Sequence, residues 1–212
     1  VERDLRLAEL TGVHYHVSNV STKETVEVIK RAKLNGIKIT CDTSPPYFSL
    51  NELELSTYDT SFKLSPPLRN EEDRIAIQNA IFDDTIDIIT SDHKPMSNDT
   101  KILPFTSAST GASGIETLLP LTLNLLNKSD VSIMNILKKI TLNPSKLLKV
   151  EIPKIKSNEK ANFIIFDPNE QYLINKDSLQ TSPTPFHGRP VQGKNYMSMM
   201  NGEIVFDNLD LL

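Results

Sequence analysis

The strongest constraint on this chain is an alternation of strand-like and helix-like stretches. "VHYHV" from Val13 to Val17 is apolar-rich and reads as a strand, "IKITCDT" from Ile37 to Thr43 as a second, and "TIDIIT" from Thr85 to Thr90 as a third. Helical patterns lie between them. Ser21 or Thr22 caps one through Lys33, with Glu24 placed as a capping-box partner of Ser21, and Gly36 ends it. Asn70 caps another from Glu71 to Phe82, where Ile75, Ala76, Asn79 and Ala80 lie close to one face. Strand, helix, strand, helix, strand is the pattern of parallel βα units, because parallel neighbours need a crossover that a helix supplies. A closed βα barrel takes eight strands and ~250 residues. Three strands cannot close one, so the sequence implies either an open sheet or strands contributed from outside these 212 residues.

Past the third strand the pattern loosens. Ser44 to Phe48 and Asp92 to Ala112 read as loops, Ile115 to Leu126 and Val131 to Ile140 as helices, with Asp130 a cap and Asn143-Pro144 a stop. From Ala161 short β-like runs take over, "NFIIFDP" and "GEIVFDN", separated by the proline-rich "TSPTPFHGRPVQG". Residues 1–150 are therefore expected to carry the βα part and 151–212 a β-rich appendage. The opening "VERDLRLAELTGV" reads as an amphipathic helix entered partway, which suggests further chain upstream.

Charge narrows the partners. A net charge of -4 from 23 basic and 27 acidic residues scattered along the chain offers no stripe to neutralise a phosphate backbone, so no nucleic-acid partner is expected. No membrane partner is expected either, because the apolar runs fall well short of the ~20 residues that cross a bilayer. The single cysteine, Cys41, allows no internal disulfide and suggests a cytoplasmic location.

In βα architectures chemistry sits at the carboxyl ends of the strands. Three places qualify: Ser18-Asn19, Asp42 to Phe48, and Ser91-Asp92-His93. His14 and His16, two residues apart on a strand, share a face and could in principle hold a metal. They lie within the strand and no third ligand follows at a known spacing, so they read as hydrogen-bonded structural histidines. Cys41 reads as a small apolar strand residue. The glycine cluster "STGASG" follows a loop, so it is no phosphate loop.

Taken together, "HYHVSNVST", "KLSPPLRNEEDR", "TIDIITSDHKP", "TGASGIETLLPL" and "TPFHGRPVQG" occur in an order and spacing that resemble the cyclic amidohydrolases, and dihydroorotases in particular. The resemblance runs along nearly the whole chain. It implies an α/β fold: the carboxyl-terminal part of an amidohydrolase-type (β/α)8 TIM barrel plus part of a small β-sandwich appendage. It implies a zinc-dependent hydrolase of cyclic amides in pyrimidine biosynthesis, with an amino-terminal half of the barrel as a partner and oligomeric assembly.

Residue by residue, the resemblance assigns Asp92 as metal ligand and catalytic proton shuttle, and it places a metal-binding histidine at Asn19. It assigns substrate binding to Ser65, Met96 and Gly111. Several positions depart from the family: Asn19 replaces the ligand histidine, Ser65 an asparagine, Pro46 and Tyr47 a histidine pair, and Met96 the histidine that meets the substrate carboxylate. An amide oxygen is a poorer ligand than imidazole for a zinc-type ion, and Met96 cannot donate to a carboxylate. Serine at position 65 is also the pattern of hydantoinases, a sister group. Lys63, Pro66, Pro67, Leu68, Arg69, Gly114, Glu116, Pro185, Phe186 and Gly188 keep the pattern, and their role is expected to lie in holding the fold. The expectation is a scaffold retained around an eroded site, with zinc absent or weakly held. Catalytically silent relatives of this kind partner aspartate transcarbamoylase, so a structural role beside that enzyme is expected. A working dihydroorotase completed by an absent half and a hydantoinase-like structural oligomer are the alternatives.

Overall fold

The computed structural model describes residues 1–152, 154–175 and 183–209. In chain order the parallel region comprises α1 (Glu2–Thr11), β1 (Tyr15–Val17), α2 (Lys23–Leu34), β2 (Ile39–Thr43), α3 (Pro45–Ser49), α4 (Glu71–Phe82) and β3 (Ile88–Ile89). There follow α5 (Asn98–Lys101), α6 (Ile115–Leu123), α7 (Ile133–Ile140), α8 (Leu142–Leu148), β4 (Phe163–Leu173), β5 (Pro190–Met200) and β6 (Glu203–Asp207).

β1, β2 and β3 form a parallel sheet in that order, with Val17 opposite Cys41 and Asp42 opposite Ile88. The helices pack their apolar stripes on it. Ile29 of α2, Ile77 and Ile81 of α4 and Ile136 of α7 join Cys41, Ile86 and Ile89 in one core, each 2 % exposed or less. The caps expected from the sequence form in part: the Asn70 side chain accepts from the Asp73 amide at 2.9 Å, and Thr22 rather than Ser21 caps α2 by accepting from Thr25 at 3.3 Å. Asp73 also accepts from the amide of Lys23 at 2.8 Å, so the two helix starts are tied together beside the strand ends.

Other local expectations are corrected. β1 begins at Tyr15, since Val13 is left exposed. Ser44 to Phe48 is largely helical, because Pro45 and Pro46 occupy a first turn where no amide donor is needed. Ser132, not Asp130, caps α7. Asn143-Pro144 does not end the helical region: Pro144 sits in the first turn of α8, which tolerates it.

The second sheet is antiparallel, β4-β5-β6, and its middle strand begins at the end of the proline-rich stretch and runs on past it. Pro190 opens β5, a strand-start position that costs no ladder donor. A second core joins this sheet to the first region: Ile174, Phe186 and Val191 pack with Leu50, Leu64, Leu68, Ala112 and Leu121. Gly193 of β5 meets α6 so closely that a Cβ there would fall 2.2 Å from Leu123 Cδ1.

Candidate functional site

The carboxyl ends of the three parallel strands converge, and Asp42 is the point they share. Its side chain is 6 % exposed and accepts on both oxygens. Oδ1 takes the Asn19 amide at 2.8 Å and the Thr90 hydroxyl at 3.4 Å; Oδ2 lies 2.9 Å from His16 Nε2, which must therefore be the donor. His16 Nδ1 lies 2.8 Å from the Thr40 hydroxyl, and His14 Nε2 lies 3.0 Å from the same oxygen. Both histidines are thus engaged in the strand network, as their place within the strand, rather than their spacing, suggested.

Asn19 and Asp92 face each other across the strand ends. Each has a left-handed backbone, φ 54° and 44°, a conformation that Asn and Asp accept more readily than most residues and that gathers at sites where geometry is imposed. Asn19 Nδ2 donates to Asp92 Oδ1 at 3.2 Å. The Lys94 ammonium meets the same oxygen at 2.9 Å, with the Asp92 side chain 12 % exposed. Asn19 Oδ1 is buried and has no hydrogen-bond partner among the described residues.

The remaining site candidates line the neighbouring loops. Gly111 adopts φ 120°; a Cβ there would lie 2.7 Å from Lys94 O and 3.3 Å from Met96 Cε, so Gly111, Lys94 and Met96 are packed together. Ser65 is exposed and its side chain hydrogen-bonds to none of these groups among the described residues. Its loop still reaches the site, since the Tyr47 hydroxyl donates to Pro66 O at 2.8 Å. Burial and, after it, the Asp92 charge push the Tyr47 hydroxyl well above its ordinary range, so it stays a donor. His93 turns away: its Nδ1 accepts from the amides of Gly114 and Ile115 at 3.2 and 3.3 Å, capping α6. Gly114 itself leaves no space for a side chain, since a Cβ would fall 2.1 Å from Ser91 O.

The donor set decides whether these residues suit a metal ion. A zinc-type ion takes three or four N, S or O ligands. Here one carboxylate is met by an amide and an ammonium, and among the described residues no group of three His, Cys, Asp or Glu side chains is arranged to hold an ion. The described residues do not fit a metal. Lys94 and the hub role of Asp42 escaped the sequence reading. Lysine two positions after Asp92 was the available signal for the first, but a lone lysine in a loop is ordinarily just solvated.

Comparison with known proteins places the arrangement. The amidohydrolase family model matches residues 1–205. The chain is 37% identical over 209 residues to a dihydroorotase of Anaplasma phagocytophilum, covering 97% of this chain and 47% of that protein. It is 38% identical over 208 residues to the dihydroorotase of Acetivibrio thermocellus, covering 97% and 49%. The chain thus spans about half the length of the curated relatives it matches. Among solved structures, the L-hydantoinase (dihydropyrimidinase) of Arthrobacter aurescens superposes with a TM-score of 0.89 at 26% identity, covering 100% of this chain and 49% of that one. An inactive dihydroorotase-like domain of a Chaetomium thermophilum CAD-like multifunctional protein shares the fold, with a TM-score of 0.69 at 18% identity over 97% of this chain and 55% of that one. No helix among the described residues is long and apolar enough to cross a membrane. The order of motifs, the parallel strands with their converging polar ends and the match along almost the whole chain agree: this chain belongs to the amidohydrolase family.

Proposed function

We propose that this chain is the carboxyl-terminal half of a dihydroorotase-like protein of pyrimidine biosynthesis that no longer completes its metal centre and serves as a structural partner of aspartate transcarbamoylase. The observation that carries the reading is the Asn19–Asp92 hydrogen bond. Where the resemblance places an imidazole ligand, an amide donates to the carboxylate at 3.2 Å, which uses that oxygen's lone pair in a way a ligand would not. The name of the Chaetomium domain offers a precedent for an inactive dihydroorotase-like domain within a multifunctional protein. Retained groups lie in structural places: Leu68 and Phe186 are buried in the second core, and Gly114 fits against Ser91.

Two other readings stay in contention on specific grounds. Asp92 is kept and identity to dihydroorotases reaches 38%, which favours an active enzyme whose other ligands lie outside this chain. Ser65 and the close superposition on an L-hydantoinase favour a hydantoinase-like structural oligomer. Metal analysis and dihydroorotate turnover on the full-length protein separate them. The proposal expects substoichiometric metal and no turnover, together with co-sedimentation with aspartate transcarbamoylase at micromolar concentration. Stoichiometric metal with turnover establishes the active enzyme instead, and a homo-oligomer that ignores aspartate transcarbamoylase points to the third reading.

A further inference from the structure

Lys94 is unlike an ordinary surface lysine in how its backbone is held. Its amide donates to Ala112 O at 2.9 Å. Its carbonyl and Cβ rest against Gly111, where any side chain would come within 2.7 and 2.9 Å of them, and the Gly111 amide is fixed in turn to Lys63 O at 2.9 Å. Pro95 follows and restricts Lys94 to an extended conformation. The side chain is 48 % exposed, yet it starts from a fixed point and ends on the largely buried Asp92 carboxylate.

The ammonium and the Asn19 amide both converge on Asp92 Oδ1. Two donors on Oδ1 take up that oxygen's lone pairs and leave Oδ2 as the side of the carboxylate a cation could still approach. A fixed positive charge at hydrogen-bond distance also repels any second cation approaching the same group, most strongly a divalent one in a partly desolvated place. The charge of Asp92 is therefore already balanced from within the chain.

We propose that Lys94 is a built-in counter-ion that takes the place of a divalent cation on Asp92, holding the carboxylate neutralised without metal and excluding metal from it. Gly111 is the positioning residue for this arrangement, because its missing side chain is what allows Lys94 to lie there. The inference rests on the reading of Asn19 and Asp92 as an altered metal position and adds the group that keeps it altered.

The test is a Mn2+ titration of the full-length protein followed by electron paramagnetic resonance, comparing wild type with Lys94→Ala, Lys94→Met and Lys94→Arg. Removing the ammonium in the first two variants is expected to tighten Mn2+ binding at least tenfold, while Lys94→Arg stays at the wild-type level. Adding Asp92→Asn to Lys94→Ala is expected to abolish the gain. Thermal melting of each variant, expected within a few degrees of wild type, shows that the fold is intact. If wild type is metal-poor and Lys94→Ala remains so, or if the gain survives Asp92→Asn, the counter-ion role is wrong while the altered-site reading stands. If wild type already binds one Mn2+ tightly through Asp92 and turns over dihydroorotate, the altered-site reading is wrong and the counter-ion falls with it.

Discussion

The two sheets of this protein divide burial very unequally. The parallel sheet is made of strands only 3, 5 and 2 residues long, yet β2 and β3 are almost wholly covered by helices. The antiparallel sheet has strands of 11, 11 and 5 residues, and every residue of β6 is exposed, including Ile204, Val205 and Phe206. Strand length therefore says little about where stability resides. Parallel strands come with crossover helices that bury both faces, whereas an antiparallel ladder satisfies its backbone and can leave side chains in water. The polar groups of the candidate site sit at the end of the covered sheet, where low exposure makes each hydrogen bond and charge count for more.

The contrast is sharpest for core truncation. Ile81→Ala removes a side chain 1 % exposed at the centre of the first core and is expected to destabilise the protein by about 2–5 kcal/mol, read from chemical denaturation. A loss under about 1 kcal/mol would mean that the helices do not support the parallel sheet as described.

Alkaline pH gives a smaller separation. Burial, and then the Asp87 charge, push the Cys41 thiol of β2 from 9.0 up to about 12. The folded chain keeps this proton while the unfolded one releases it near pH 9. The stability tied to the protonated thiol is thus complete below pH 9 and is lost as pH rises from 9 to 12. Between pH 8 and 10 it falls by about 1 kcal/mol by proton linkage. Cys41→Ala should flatten that part of the pH profile, and an unchanged slope would remove β2 as its source.

The smallest effect belongs to the open sheet. Val205 is 60% exposed, and Val205→Thr is expected to shift stability by no more than about 0.5 kcal/mol. A change as large as that of Ile81→Ala would show that β6 is covered in the working protein and would erase the contrast.

These differences also explain what the sequence disclosed. The extent of α4 was legible because Asn70 is a local cap signal that the structure uses, but its buried face was not: Ile77, Ala80 and Ile81 pack inward, while Ile75 and Asn79 of the expected face are exposed. The positions of β2 and β3 followed from their apolar runs. β5 was not legible, because Pro190 and Gly193 resemble loop residues until one sees that the first opens the strand and the second fits against Leu123. Asn19, Asp42 and Asp92 could be assigned to strand ends by their place after apolar runs, but their contacts span 23 to 73 residues of sequence and depend on the parallel register. Lys94 stayed invisible for a related reason: its meaning comes from Gly111 and Asp92, not from its neighbours in the chain.

The Lys94–Asp92 pair bears on how this protein could change over generations. On the counter-ion proposal, a histidine arriving at position 19 would find the carboxylate opposite still paired with the Lys94 ammonium. Removal of the lysine first would instead open Asp92 to a cation before any new ligand appears. The proposal thus gives the two substitutions an order, with the lysine first and residue 19 second.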